Sequence, residues 1–145
     1  MFIDEFIHFV LSVAIGLVVG KLTGNFWAVP LAIASGFFLD ADHLIDYFIH
    51  RGWKFNINDF FSGKHFDDSG KVYVFFHGFE FAIILIVLSL IFPNLGWLFF
   101  SLGFANLFHL FYDTFCNGAV WPTYFLTFRI AKNFDHKKLW IKNEK

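Results

Sequence analysis

The stretch FLDADHLIDYFIH, residues 38–50, decides how this chain is to be read. Three aspartates and two histidines follow fourteen mostly apolar residues, 26–39. Charge at the end of a long apolar segment raises two questions: what surrounds the segment, and what the charges hold.

Composition addresses the surroundings. The chain has 145 residues, enough for one domain. Hydrophobic residues make up 57%, aromatics 23% with 25 Phe, and charged residues only 16%. Mean hydropathy is +0.58. A soluble domain carries about 25% charge, and so much apolar surface does not fit inside a core this small, so lipid is expected around it. The net charge of −1 gives no sign of nucleic acid. The single cysteine, Cys116, excludes an internal disulfide framework.

Four apolar segments follow, at about 6–22, 26–50, 72–92 and 95–116. A helix crosses a bilayer core in about 20 residues. The expected fold is therefore all-α: a single four-helix transmembrane bundle with a loop at 51–71 and a tail at 117–145. Pro30 is tolerated in the first turn of its helix. Asp4 and Glu5 stand where a signal peptide would be basic, so the first segment reads as a permanent span. Four spans put ten Lys and Arg, including Arg51, on one side and only Lys21 on the other. That asymmetry predicts that both termini are cytoplasmic. In the tail, Phe125, Phe128, Ile130 and Phe134 interleave with basic residues, as in a short amphipathic segment lying on an anionic surface. Trp97, Trp121 and Trp140 fit an interfacial belt.

Depth addresses the charges. His8, Asp40, His77, Glu80, His109 and Asp113 lie 12 to 16 residues from the non-cytoplasmic ends of their segments. At 1.5 Å per residue that is roughly 18–24 Å into a core about 30 Å thick. Four alternating helices thus place their ionisable residues in one layer of the cytoplasmic leaflet, where such groups are costly and mark function. Asp40 and His43, and His77 and Glu80, are three apart; Asp42 and Asp46, and His109 and Asp113, are four apart. Each pair shares a helix face. The candidate ligands are His8, Asp40, Asp42, His43, His77, Glu80, His109 and Asp113. Imidazole with carboxylate suits zinc, manganese or iron, and this many donors could serve two ions, the arrangement that clamps a phosphate displacement. Glu80 or Asp42 would take a proton from the attacking water, and Arg51 would contact the phosphate. Asp42 and Asp46 could instead orient ligands. His50, His65 and His136, set among loop charges, read as solvated. There is no Gly-x-Ser-x-Gly and no His-Glu-x-x-His, and GKHFDDSGK at 63–71 has the wrong spacing for a phosphate loop.

These residues resemble a family of inner-membrane, metal-dependent hydrolases that includes a LexA-regulated member. The matching features are His8, DADH at 40–43, His77, HLFYD at 109–113 and GAVWP at 118–122. Leu39 stands where that family has Pro, and about twenty-five residues separate Arg51-Gly52 from His77, where the family keeps them together. More distantly, the chain is similar to zinc-dependent phospholipases C. The resemblance implies a helical bundle, a divalent metal (zinc first) and hydrolysis of a phosphoester such as a phospholipid headgroup. A divalent-metal or proton transporter, or a metal that merely staples the helices, are the alternatives. The outer helix halves offer only Ser12, Ser89, Ser101 and glycines, which disfavours transport.

Overall fold

The computed structural model describes residues 2–117 and 119–139. Gly118 of the GAVWP step, Trp140, and the tail lysines Lys142 and Lys145 lie outside them. The chain is all-helical: α1 (Phe2–Thr23), α2 (Ala28–Gly36), α3 (Ala41–Arg51), α4 (Ile57–Ser62), α5 (Lys64–Ser69), α6 (Phe79–Ile91), α7 (Gly96–Cys116), α8 (Leu126–Ala131) and α9 (His136–Leu139). Short 3-10 turns cover Phe38–Asp40, Pro93–Leu95 and Trp121–Tyr124. No strand forms among the described residues; one isolated antiparallel bridge joins Lys71 and Asp135.

The two long helices fit the sequence reading. α1 opens with Asp4 and Glu5 against its positive N-terminal dipole and closes with Lys21 in its last turn. Gly24, at φ +71°, then supplies the left-handed residue that ends it. α7 packs against α1, α2 and α6. Small residues line these interfaces, with Ala28, Ala32 and Ala105 fully or nearly fully buried. At Gly16 an added Cβ would stand 2.5 Å from the Val29 Cα, so α1 and α2 touch backbone to backbone. Large apolar side chains face outward instead: Leu22, Leu90 and Phe115 are all more than 70% exposed. That inversion suits a helix bundle in lipid.

The expected four spans are corrected in two places. Two helices are long and apolar enough to cross a membrane, Ile3–Thr23 and Pro93–Cys116. A third exists if the bent pair Ala28–Gly36 and Phe38–Arg51, which turns by 41°, is one span. The segment read as a span at 72–92 is helical only over the 13 residues Phe79–Ile91, roughly 20 Å long and shorter than a bilayer core. Residues 72–78 are non-helical, with a bend at Phe76 where the Gly78 N–H donates to the Phe76 carbonyl at 2.8 Å. Val72, Tyr73, Val74, Phe75 and Phe76 are β-branched or aromatic, types that favour extended chain.

The tail does not simply lie flat. Lys71 bridges to Asp135, Val72 N–H donates to the Phe134 carbonyl (3.0 Å), and Leu139 packs fully buried with Val72 and Val74. Arg129, expected on a basic outer face, is 1% exposed.

Candidate metal centre

The break in the second apolar segment builds the site. α2 ends at Gly36, the 3-10 turn carries Asp40, and α3 restarts with Asp42 and His43 in its first turn. α7 supplies His109 and Asp113 from one face, and the non-helical segment 72–78 delivers His77. One ligand atom each from Asp40, His77, His109 and Asp113 lies within 4.8 Å of the others, and the group could hold a metal ion. A second combination, Asp42, His43 and His77, meets the same spacing and shares His77.

Hydrogen-bond direction tells the two apart. His109 Nδ1 sits 2.6 Å from the Gly36 carbonyl oxygen. A carbonyl only accepts, so Nδ1 carries the proton and Nε2 of the neutral ring presents a lone pair. His77 Nδ1 lies 2.8 Å from Asp42 Oδ1. The N–H is off axis, so neither atom counts as well hydrogen-bonded, but a carboxylate at that range still draws the proton to Nδ1. The two Nε2 atoms then face each other at 3.3 Å. Asp40 Oδ1 is 3.0 Å from His77 Nε2 and 3.5 Å from His109 Nε2. Asp113 Oδ2 is 3.3 Å from His109 Nε2. With both rings neutral and protonated on Nδ1, four acceptor atoms converge, and positive charge at their centre, a bound dication or a proton on one imidazole, offsets their repulsion. The outer contacts, Nδ1 to a backbone carbonyl and Nδ1 to a carboxylate, are those that orient metal-binding histidines. The donor set and the burial both fit a divalent transition ion.

The other sequence candidates are placed differently. His8 stacks on His109 with ring centroids 3.8 Å apart and puts Nε2 3.1 Å from Asp113 Oδ1. It contacts the Asp113 oxygen other than the one 3.3 Å from His109. Asp42 Oδ2 accepts the Phe76 N–H at 2.9 Å, so this carboxylate also holds the backbone beside His77. His43 keeps Nε2 3.7 Å from Asp40 and is partly exposed. Glu80 is corrected: its oxygens accept the N–H groups of Leu126 and Thr127 and the Thr127 hydroxyl at 2.8–2.9 Å, which ties α6 to the start of α8. Arg51 is corrected as well. It grips Asp59 through two nitrogens at 2.8 and 3.1 Å and reaches Asp68 at 2.6 Å. The Arg51 guanidinium holds the Asp59 carboxyl below its usual range. His65 and His50, expected in solvent, are buried or nearly so, with side chains 1% and 11% exposed.

Two contributors escaped the sequence reading. The Gly36 carbonyl has no sequence signature, because a glycine in an apolar run reads as helix packing. Arg129 donates to the carbonyls of Val74 and of His77, the latter at 2.8 Å. Burial pulls its guanidinium down to about 10. A basic residue in an amphipathic tail gave no hint of facing inward.

A cavity of about 430 Å³ opens beside the group, with Asp40, His43, Asp113, Phe60, His65 and Phe66 among its lining residues. No family model, curated protein or solved structure matches the chain.

Proposed function

We propose that this chain is a membrane-embedded, metal-dependent hydrolase that cleaves a phosphoester, a lipid headgroup first, in the cytoplasmic leaflet of the inner membrane. One observation carries the reading: four acceptor atoms from Asp40, His77, His109 and Asp113 converge beside a cavity at the end of apolar helices. The resemblance to inner-membrane hydrolases, drawn from His8, DADH and HLFYD, points the same way. Zinc is the ion proposed, because two imidazoles and two carboxylates suit it. When bound, such an ion supplies Lewis acidity to a phosphoryl oxygen and acidifies an attacking water. His77 and His109 would hold it through Nε2, and Asp40 and Asp113 through one oxygen each. Asp42 and the Gly36 carbonyl keep the rings turned. His43 faces the cavity and is the group positioned to accept a proton at Nε2; both Glu80 oxygens are already occupied. A second ion at Asp42, His43 and His77 would need both nitrogens of His77 and would remove that base, so one ion is the working state.

Transport through the same residues gains no support. The Ser12, Ser89 and Ser101 hydroxyls each donate to a carbonyl of their own helix at 2.6–2.7 Å, so they do not form a polar file across the outer half. The test is a lipid-extract screen in detergent with and without chelator. Chelator-sensitive release of a phosphorylated or free headgroup supports hydrolysis. Zn²⁺ uptake into proteoliposomes, with no ester, amide or phosphoester turned over, replaces it with transport.

A further inference from the structure

A second cavity, also of about 430 Å³, is lined from α2, α3, α6 and α7. Its lining is apolar except for Ser35, Asp42 and Asn106. Asn106, on α7, is 4% exposed, and its Oδ1 is buried without a hydrogen-bond partner. The other two polar residues offer it no donor. The Ser35 hydroxyl donates to the Leu102 carbonyl at 2.7 Å, and the Asp42 carboxylate accepts the Phe76 N–H at 2.9 Å. A buried acceptor is not left so unless something satisfies it.

Size and surroundings narrow the occupant. The volume falls among those of small-molecule sites, about 300–1,000 Å³, and a helix about 10 Å across is too wide for it. Phe38, Ile45 and Phe76 line the cavity and are exposed, so its mouth opens on the apolar surface that the bundle turns outward. A molecule entering from that surface is a lipid, and the walls suit an acyl chain. The amide adds a polar requirement, because it pairs an acceptor oxygen with an NH₂ donor. A glyceride with a free hydroxyl beside its ester carbonyl offers the complementary pair. A phosphodiester brings a charge that these walls would leave unpaired.

We propose that this cavity binds a neutral diacylglycerol, with an acyl chain against the apolar walls and the glycerol held by Asn106. The lipid hydroxyl donates to Oδ1, and the Asn106 NH₂ donates to the ester carbonyl. Asn106 precedes His109 by three residues on α7, roughly 4.5 Å along the helix. The glycerol would therefore lie within one turn of the level of the Asp40–His77–His109–Asp113 group. Hydrolysis that releases a phosphorylated headgroup leaves the attacking oxygen on phosphorus and the glycerol oxygen as a hydroxyl, so diacylglycerol is the other product. The cavity then takes up what the metal centre sets free, although binding itself does not rest on that reading.

The test uses the full-length protein purified in detergent and stripped of metal, so that binding is read without turnover. Native mass spectrometry and melting-temperature shifts compare dioleoylglycerol with the same glyceride acetylated at its hydroxyl. Wild type should bind one dioleoylglycerol per chain and the acetylated form roughly 5–10-fold more weakly, the worth of one hydrogen bond. Asn106→Leu should bind the two alike. Ala34→Phe, at an exposed residue of the cavity wall, should abolish binding of both, and it supplies the readout should Asn106→Leu fail to fold. Equal binding of the two glycerides by wild type, as a water on Asn106 would give, overturns the proposal. So does a preference that survives Asn106→Leu, or binding that survives Ala34→Phe. Failure of the lipid-extract screen with this preference intact removes the hydrolysis reading and leaves the cavity's ligand standing.

Discussion

Replacing Gly36 with alanine tests packing and metal geometry with one methyl group. Its Cβ would stand 2.3 Å from Ser12 Oγ, 3.1 Å from the Ala105 Cβ and 3.2 Å from the Ala105 carbonyl oxygen. An ordinary carbon–oxygen contact is about 3.4 Å, so the first overlap is roughly 1 Å deep. Ser12 can rotate away only by giving up its 2.7 Å hydrogen bond to the His8 carbonyl. The Ala105 side is backbone and does not yield, so α2 must shift. Overpacking of this kind costs about 1–3 kcal/mol. At about 2–4 °C per kcal/mol the melting temperature should fall by roughly 2–12 °C. The shift also moves the carbonyl that fixes His109 Nδ1, and loss of such an orienting contact weakens metal binding about 10–100-fold. Thermal melts and Zn²⁺ titration of the purified protein measure both. Gly24→Ala is the control: that residue sits at φ +71° with nothing within 4 Å, so it adds strain without touching the site. Ser12→Ala should restore part of the stability lost in Gly36→Ala, with a coupling of about 0.5–3 kcal/mol. Wild-type zinc affinity in Gly36→Ala, or the same affinity loss in Gly24→Ala, would refute the account of His109.

Asp40→Ala and His109→Ala should each lose the ion of the four-residue group, and elemental analysis that finds full zinc in both would reduce it to a polar helix junction. Glu80→Gln should leave zinc content unchanged and lower stability by about 1 kcal/mol, because an amide has one acceptor oxygen where α8 uses two; a fall in zinc would put Glu80 back among the ligands. Reporter fusions at Asn94 and Lys145 should lie on opposite sides of the membrane, with Lys145 cytoplasmic, because α7 alone separates them; a shared side would remove α7 as a span.

The long helices and the convergence of Asp40, His77, His109 and Asp113 were legible in the sequence. Both rest on spacing. Residues four apart on α7 stay on one face, which sets His109 beside Asp113; His77 joins them although the helix along which its depth was counted starts only at Phe79. The middle of the chain was not legible. Residues 72–78 are as apolar as a span, and apolarity alone does not separate a buried non-helical segment from a helix. Glu80 shares a helix face with its neighbours on paper, but the helix starts only at Phe79, so the face it belongs to is set by the entry of the chain. His65 stands among Lys64, Asp67 and Asp68, which marked the stretch as solvated. One residue of a short helix can still turn inward, and local composition does not record it.

The non-helical segment also explains where several charged side chains sit. Residues 72–78 have no sheet to satisfy their backbone, and buried unsatisfied backbone groups are costly. Side chains do the work of a neighbouring strand. Asp46 accepts the Tyr73 N–H at 2.6 Å, Asp42 accepts the Phe76 N–H at 2.9 Å, and Arg129 donates to the carbonyls of Val74 and His77. Arg129 rides on α8, whose first N–H groups are held by Glu80. Asp42, Asp46, Arg129 and Glu80 therefore form a frame that presents His77 to Asp40 and His109. A buried charged residue in this chain is thus a weak guide to catalysis by itself; what separates the residues is the atom each oxygen or nitrogen faces. Carboxylates that face backbone N–H groups hold the segment. Asp40 and Asp113 face imidazole nitrogens instead, and that group could hold an ion.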